Sequence, residues 1–175
     1  MQVSIIIPCY NEEKTIEELL SAIVGQTYPL DQLEVVIADG MSTDRTRERI
    51  TVFQSMHPEL NLRLVENIKR TIPAALNQAI EESRGEVITR MDAHAIPAAD
   101  YVKKSLTALE AALGDNVGGV IEIRPGANTW IGHSISIAAA HPLGVGNARY
   151  RTATRAMEAD TVAFGTYYRS LVDKI

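Results

Sequence analysis

The sequence predicts an α/β fold: a doubly wound, mainly parallel sheet flanked by helices. Three observations carry that prediction. Apolar runs at residues 3–7 and 33–38 are continuous rather than alternating, as in strands covered on both faces. Stripes of helical period separate them. Strand and helix patterns then take turns along the first two thirds of the chain, which calls for parallel strands joined by crossover helices.

Residues 3–7 make the first strand, and the helix after it presents Ile16, Leu19, Leu20, Ile23 and Val24 on one face, with Asn11 as its expected N-cap. The second strand is 33–38. Ser42 or Thr43 is expected to cap a second helix that runs to about Met56, with Ile50 and Phe53 inward and Val52 and Met56 extending a thin stripe. A short strand at 62–66 follows. Thr71 and Pro73 open a third helix with the face Ile72, Ala75, Leu76, Ala79 and Ile80, ending near Gly85. A fourth strand covers 86–91, and Pro97 opens a fourth helix with Val102, Leu106, Leu109 and Leu113 inward. One more strand is expected at 117–123. Beyond Arg124 the pattern loosens until an apolar segment at 161–164. With no internal repeat, low-complexity tract or linker, residues 1–175 read as one domain.

Composition narrows the function. Of 175 residues, 46% are hydrophobic and 22% charged, enough for a packed core. Seventeen Lys and Arg against 22 Asp and Glu give a net charge of −5, which argues against a protein that coats nucleic acid. Any anionic ligand must be met locally. The single cysteine, Cys9, reads as a small core residue in a reducing compartment. The N-terminus lacks a basic segment ahead of its apolar run, so no signal peptide is expected. The longest apolar stretch, 131–140, is interrupted by His133, Ser134 and Ser136 and falls short of the roughly 20 residues of a membrane span.

Ligands of open parallel sheets bind beyond the carboxyl ends of the strands. The four ends here are all polar: Pro8-Cys-Tyr10-Asn-Glu12-Glu13, Asp39-Gly-Met-Ser-Thr-Asp44, Asn67-Ile-Lys69-Arg70 and Asp92-Ala-His94. The first turn carries two glutamates instead of Gly-x-Gly-x-x-Gly, so backbone amides do not cradle a pyrophosphate there. Gly144-Val-Gly-Asn-Ala-Arg149 has no strand before it and reads as a loop. An acidic pocket still holds a nucleotide diphosphate if a divalent cation lies between carboxylate and phosphates, and Asp92 with His94 has that form, the mixed oxygen and nitrogen set favouring Mn²⁺ over Mg²⁺. The competing reading makes Asp92 a turn cap and His94 a polar loop residue. Asp39 either accepts a base N–H or starts an ordinary turn into a helix. Tyr10 either stacks on a base or covers the sheet end. Lys69 and Arg70 either meet phosphate charge or lie solvated.

Taken together, Ile5-Ile-Ile-Pro-Cys-Tyr-Asn-Glu-Glu13, the Asp39 segment, Ala75-Leu-Asn77 with Arg84-Gly-Glu86, and Arg90-Met-Asp-Ala-His94 resemble, in order and spacing, the donor half of the family 2 glycosyltransferases with the GT-A fold. Within that family, Asp-Ala-His, Pro73-Ala-Ala-Leu-Asn77, Val117-Gly-Gly119 and Phe164-Gly-Thr-Tyr167 look most like the succinoglycan-type exopolysaccharide enzymes. The resemblance implies residues 1–94 as a nucleotide-sugar donor half and 95–175 as the start of an acceptor half. It implies that Pro8, Tyr10 and Glu12 line the nucleotide pocket and that Asp39 contacts the uracil. Arg70, Asn77 and Met91 lie near the donor by the same resemblance. Asp92 then sits at the metal and diphosphate, with His94 in place of the usual second Asp as the other metal residue. The implied cofactor is a divalent cation, Mn²⁺ or Mg²⁺, and binding through His94 is expected to be pH-sensitive because imidazole must be neutral to ligate.

The same resemblance implies an inverting hexosyl transfer from a UDP-sugar to a glycan or lipid-linked acceptor, in the cytoplasm at the inner face of the membrane. Such transfer needs a carboxylate base for the acceptor hydroxyl. In the family it lies in a Glu-Asp motif downstream of the Phe-Gly-Thr-Tyr segment, so the base is expected beyond Ile175, together with a membrane-associating segment. Glu158, Asp160 and Asp173 are not in matching context. The expected chain is thus a C-terminally truncated donor-binding domain with weak or no activity. The alternative is a non-catalytic nucleotide-binding or interaction module.

Overall fold

The computed structural model describes residues 1–141, 144, 148–172 and 174. Val145, Gly146 and Asn147 of the glycine stretch, and Asp173, lie outside the described residues. Two compact units are present, one of residues 1–117 with 164–175, the other of residues 118–163.

The first unit runs β1 (Val3–Cys9), α1 (Ile16–Val24), β2 (Leu33–Asp39), α2 (Thr46–Met56), β3 (Asn61–Glu66), α3 (Ile72–Glu82), β4 (Val87–Arg90), α4 (Tyr101–Glu110) and β5 (Asn116–Val117). In the second, α5 (Trp130–Ala140) begins at the Thr129 hydroxyl, which accepts from the Gly132 amide, and α6 is Arg149–Thr152. The chain returns to the first unit with β6 (Thr166–Tyr168). No helix among the described residues is long and apolar enough to cross a membrane.

The sheet has the order β3-β2-β1-β4-β6-β5, with β3, β2, β1 and β4 parallel and β6 antiparallel to both of its neighbours. Side chains alternate across it. Val3, Ile5, Ile7 and Cys9 of β1 pack with α1, with Ile50 and Phe53 of α2, and with Val102, Leu106 and Leu109 of α4. Ile6, Val36, Ala38 and Ile88 pack on the other face against Ala75 and Ala79 of α3. Each fully buried aliphatic side chain contributes about 1.5–3 kcal/mol, so strands covered on both sides need unbroken apolar runs.

Several boundaries differ from expectation, for local reasons. Asn11 is not the cap of α1. It adopts φ 54° in a turn, Thr15 precedes the helix, and the Asn11 side chain accepts from the Thr43 amide instead. Ser42 and Thr43 do not cap α2, because Asp44 accepts from the Thr46 amide and moves the start there. Thr71 does cap α3. Val52, Met56, Ile72 and Leu113 are exposed, since each lies at the edge of its stripe. The strand expected at 117–123 stops after Val117, where Gly118 and Gly119 weaken extended pairing. The apolar segment at 161–164 has no regular structure. The neighbour of β4 is β6 just beyond it, with the buried Thr89 and Thr166 hydroxyls 3.0 Å apart.

Gly85, ahead of β4, packs against β1 with no room for a side chain. A Cβ there would lie 2.5 Å from Ser4 Oγ and 2.7 Å from the Ser4 amide nitrogen. Gly85→Ala is therefore expected to destabilise the fold by about 3 kcal/mol, the upper range of overpacking. Urea unfolding measures it, and a midpoint equal to the wild type would show that the strands separate easily.

Candidate functional site

The loops after the parallel strands meet at their carboxyl ends. Gly40 N donates to Cys9 O at 2.8 Å, Asn67 N to Asp39 O at 2.8 Å, and Met91 N to Ile6 O at 3.0 Å, so each loop departs from its neighbour's backbone. The first two loops are laced further by side chains. Asn11 N donates to Ser42 Oγ at 2.8 Å, Glu12 N to Thr46 Oγ1 at 2.8 Å, Glu13 N to Asp44 Oδ2 at 3.2 Å and Arg45 N to Glu13 Oε2 at 2.9 Å. Burial pushes the Asp44 carboxyl up, but the Thr46 hydroxyl and amide and the Glu13 amide outweigh it and hold the group below the usual range. Asn11, Met41 and Arg70, one in each of the first three loops, have φ of 54°, 62° and 54°. Such backbones cost about 1–3 kcal/mol for non-glycine residues and persist where surrounding contacts determine them.

Together these loops enclose an open cleft of about 180 Å³, smaller than the roughly 300–1,000 Å³ of sites that swallow a whole small ligand. Pro8, Tyr10, Glu12, Arg70, Asp92 and His94 all line it, so six of the residues named from sequence converge. Tyr10 is half-exposed, its ring lying over Gly40, where a Cβ would stand 3.4 Å from Tyr10 Cδ2. Glu12 Oε1 is 3.1 Å from His94 Nδ1, and Glu12 Oε2 accepts from Thr15 Oγ1 at 2.6 Å. Asp92 Oδ1 accepts from Arg90 Nε and Nη2 at 3.2 and 3.0 Å.

Three residues sit elsewhere. The Asp39 carboxylate is fully covered, accepting from the Ser42 amide at 3.0 Å and the Ser42 hydroxyl at 2.5 Å, with Arg47 Nε 3.7 Å away. Its oxygens shape the loop rather than face the cleft. The Met91 side chain is 2% exposed and belongs to the core, and Asn77 lies exposed on α3 outside the cleft lining. Sequence reasoning missed Asn67, a buried residue of the lining whose Nδ2 donates to Thr71 O at 3.0 Å, as well as Arg90 behind Asp92. The Arg90 pairing could have been found, because both residues lie in the quoted Arg90-to-His94 segment. Cys9 is buried in the cleft floor, and burial first, then Asp39, Glu12 and Asp44, push its thiol far up, so it stays protonated.

Among the described residues no group of three His, Cys, Asp or Glu side chains could hold a metal ion, which excludes a closed, all-protein site for them. Asp92 and His94 both line the cleft, a pair that could serve only a cation taking most of its ligands from phosphate oxygens and water, as Mg²⁺ and Mn²⁺ do.

The cleft lies beyond the carboxyl ends of the parallel strands, where open α/β sheets bind their ligands, and brings an exposed aromatic ring, an arginine and two carboxylates together. Residues 4–174 match the profile of glycosyl transferase family 2, and the chain belongs to that family. Relatives include a dolichyl N-acetyl-alpha-D-glucosaminyl phosphate 3-beta-D-2,3-diacetamido-2,3-dideoxy-beta-D-glucuronosyltransferase of Methanococcus voltae, 35% identical over 68% of this chain and 39% of its own. The succinoglycan biosynthesis protein ExoA of Rhizobium meliloti is 32% identical over 85% of this chain and 44% of its own. Among solved structures, the mannosyltransferase PcManGT of Pyrobaculum calidifontis, in complex with GDP-Man and Mn²⁺, is 28% identical with a TM-score of 0.72, covering 99% of this chain and 46% of that one. The chain spans less than half the length of these relatives.

Proposed function

We propose that this chain is the donor-binding part of an inverting glycosyltransferase, moving a hexose from a UDP-sugar to a glycan or lipid-linked acceptor in exopolysaccharide or cell-envelope synthesis at the inner face of the membrane. The donor half is residues 1–94. One observation carries the reading: Tyr10, Glu12, Arg70, Asp92 and His94, drawn from three separate loops, line one cleft at the sheet's carboxyl edge. The nucleotide complex and Mn²⁺ of the 28%-identical mannosyltransferase support a nucleotide-sugar donor and a divalent cation. The resemblance to exopolysaccharide enzymes favours uridine.

In this reading Tyr10 offers its exposed ring to the base and Arg70 meets the diphosphate, while Asp92 and His94 hold the cation. The bound cation offsets the negative charge that builds on the departing nucleoside diphosphate. Arg90 anchors Asp92 through one oxygen, which keeps the carboxylate at the cleft wall. Glu12 and Asp92 repel a bare diphosphate, so donor affinity is set by the cation and by Arg70.

The test is thermal unfolding with UDP and Mn²⁺. At a hundredfold excess over Kd the stabilisation is about 2.7 kcal/mol, raising Tm by about 5–10 °C. GDP with Mn²⁺ is expected to give a smaller shift. No shift with either nucleotide at millimolar concentration would overturn the reading, and a larger shift with GDP would reassign the base.

A further inference from the structure

We propose that Glu12 is a positioning residue for His94, selecting the imidazole tautomer that turns a bare ring nitrogen toward the cation; this deepens the donor-site reading and rests on it. Among the described residues no Lys or Arg pairs with Glu12, and the group that its carboxylate faces across the cleft is His94. Its Oε1 lies 3.1 Å from His94 Nδ1. A carboxylate only accepts hydrogen bonds, so Nδ1 carries the proton in this contact and the lone pair of a neutral ring falls on Nε2. Metal-bound histidines are oriented in the same way, by a carboxylate or carbonyl on the nitrogen that does not ligate.

Glu12 is itself held at two points, which makes it a fixed support. Its second oxygen accepts from Thr15 Oγ1 at 2.6 Å, and its amide donates to the buried Thr46 hydroxyl at 2.8 Å. Thr46 in turn donates to Asp44 Oδ1 at 2.5 Å, so its oxygen is oriented to accept. His94, by contrast, is 62% exposed in its side chain and has few neighbours to fix its ring. Without Glu12 an exposed imidazole samples both tautomers and turns freely. The pairing also explains how Asp-Ala-His can stand where two aspartates are usual, since the supporting carboxylate comes from the first loop.

Nitrogen-15 NMR of His94 in the metal-free protein, together with Mn²⁺ titration in the presence of UDP, tests this. The wild type is expected to show the Nδ1–H tautomer. Glu12→Ala should return His94 to the mixed tautomers of an exposed ring and weaken Mn²⁺ binding about 10- to 100-fold. Glu12→Gln, whose amide oxygen still accepts from Nδ1, should keep the tautomer and most of the affinity. Thr15→Val, which frees Glu12 without touching His94, should give an intermediate loss. A merely structural Glu12 would lower Tm without moving the tautomer. An Nε2–H tautomer in the wild type, or equal Mn²⁺ affinity in wild type and Glu12→Ala, would overturn the inference. If the wild type binds no UDP with Mn²⁺, the donor reading fails, while the tautomer measurement still judges the Glu12–His94 contact by itself.

Discussion

Asp92→Asn is expected to lose at least about 100-fold in Mn²⁺-dependent UDP affinity, equivalent to about 2.7 kcal/mol, with little change in Tm. The substitution keeps the size of the side chain and removes the charge that would face the cation in the proposed donor site. It also releases Arg90, whose guanidinium now meets Asp92 Oδ1 at 3.0 Å. A freed Arg90 can approach the diphosphate, so nucleotide binding without metal is expected to rise slightly in the same variant. That opposite movement separates a cation site from general damage. Isothermal titration with and without EDTA reads both quantities. Identical curves for wild type and variant would remove Asp92 from the site.

Glu34→Ala is expected to cause a large loss of stability, about 3–5 kcal/mol. Glu34 lies on β2 with its side chain 1% exposed, at the end of the sheet opposite the cleft. Its Oε1 accepts from Ser4 Oγ at 2.5 Å, from the Gly85 amide at 2.9 Å and from the Arg84 amide, while Oε2 meets Arg63 Nη2 at 2.9 Å. Alanine leaves these donors without their acceptor. Burial pushes the Glu34 carboxyl up, but the Ser4 hydroxyl, the Arg84 and Gly85 amides and Arg63 more than reverse it, so the group titrates below the usual carboxylate range. A carboxylate with a depressed folded pKa stabilises the fold above its unfolded pKa, about 4.3, and loses that contribution as pH falls through the lower folded value. Wild-type stability should therefore drop steeply below about pH 4, and Glu34→Ala should flatten that slope. Urea melts at pH 3 and pH 7 show it; a variant with the full acid slope would assign the acid loss to other groups.

The fold was readable because double burial writes itself into composition. Ile5, Ile6 and Ile7 face two different layers, so both positions of the period must be apolar, and no amphipathic strand shares that pattern. The antiparallel strand β6 was not readable. Its three residues Thr166, Tyr167 and Tyr168 are too few to show a period, and its pairing with β4 joins positions far apart in the chain. Helix starts were misplaced where side chains serve another loop: Asn11 and Ser42 have the chemistry of caps but spend it on bonds between the first two loops.

The cleft's lining was readable to the extent that each strand end is polar, which is why Tyr10, Glu12, Arg70, Asp92 and His94 all line it. What sequence could not supply was direction. Asp39 stands at the correct strand end, yet its carboxylate turns down to Ser42 and Arg47, and Met91 turns into the core although Asp92 beside it turns to the cleft. Nor does spacing reveal that Glu12 and His94, 82 residues apart, share a hydrogen bond.

Anomalous diffraction from crystals grown with UDP and Mn²⁺ tests the central claim most directly. A manganese peak within ligand distance of Asp92 and His94, joined to the diphosphate of a uridine lying against Tyr10, is the result expected. UDP seated in the cleft with no manganese beside Asp92, or manganese bound at any other place, would contradict it.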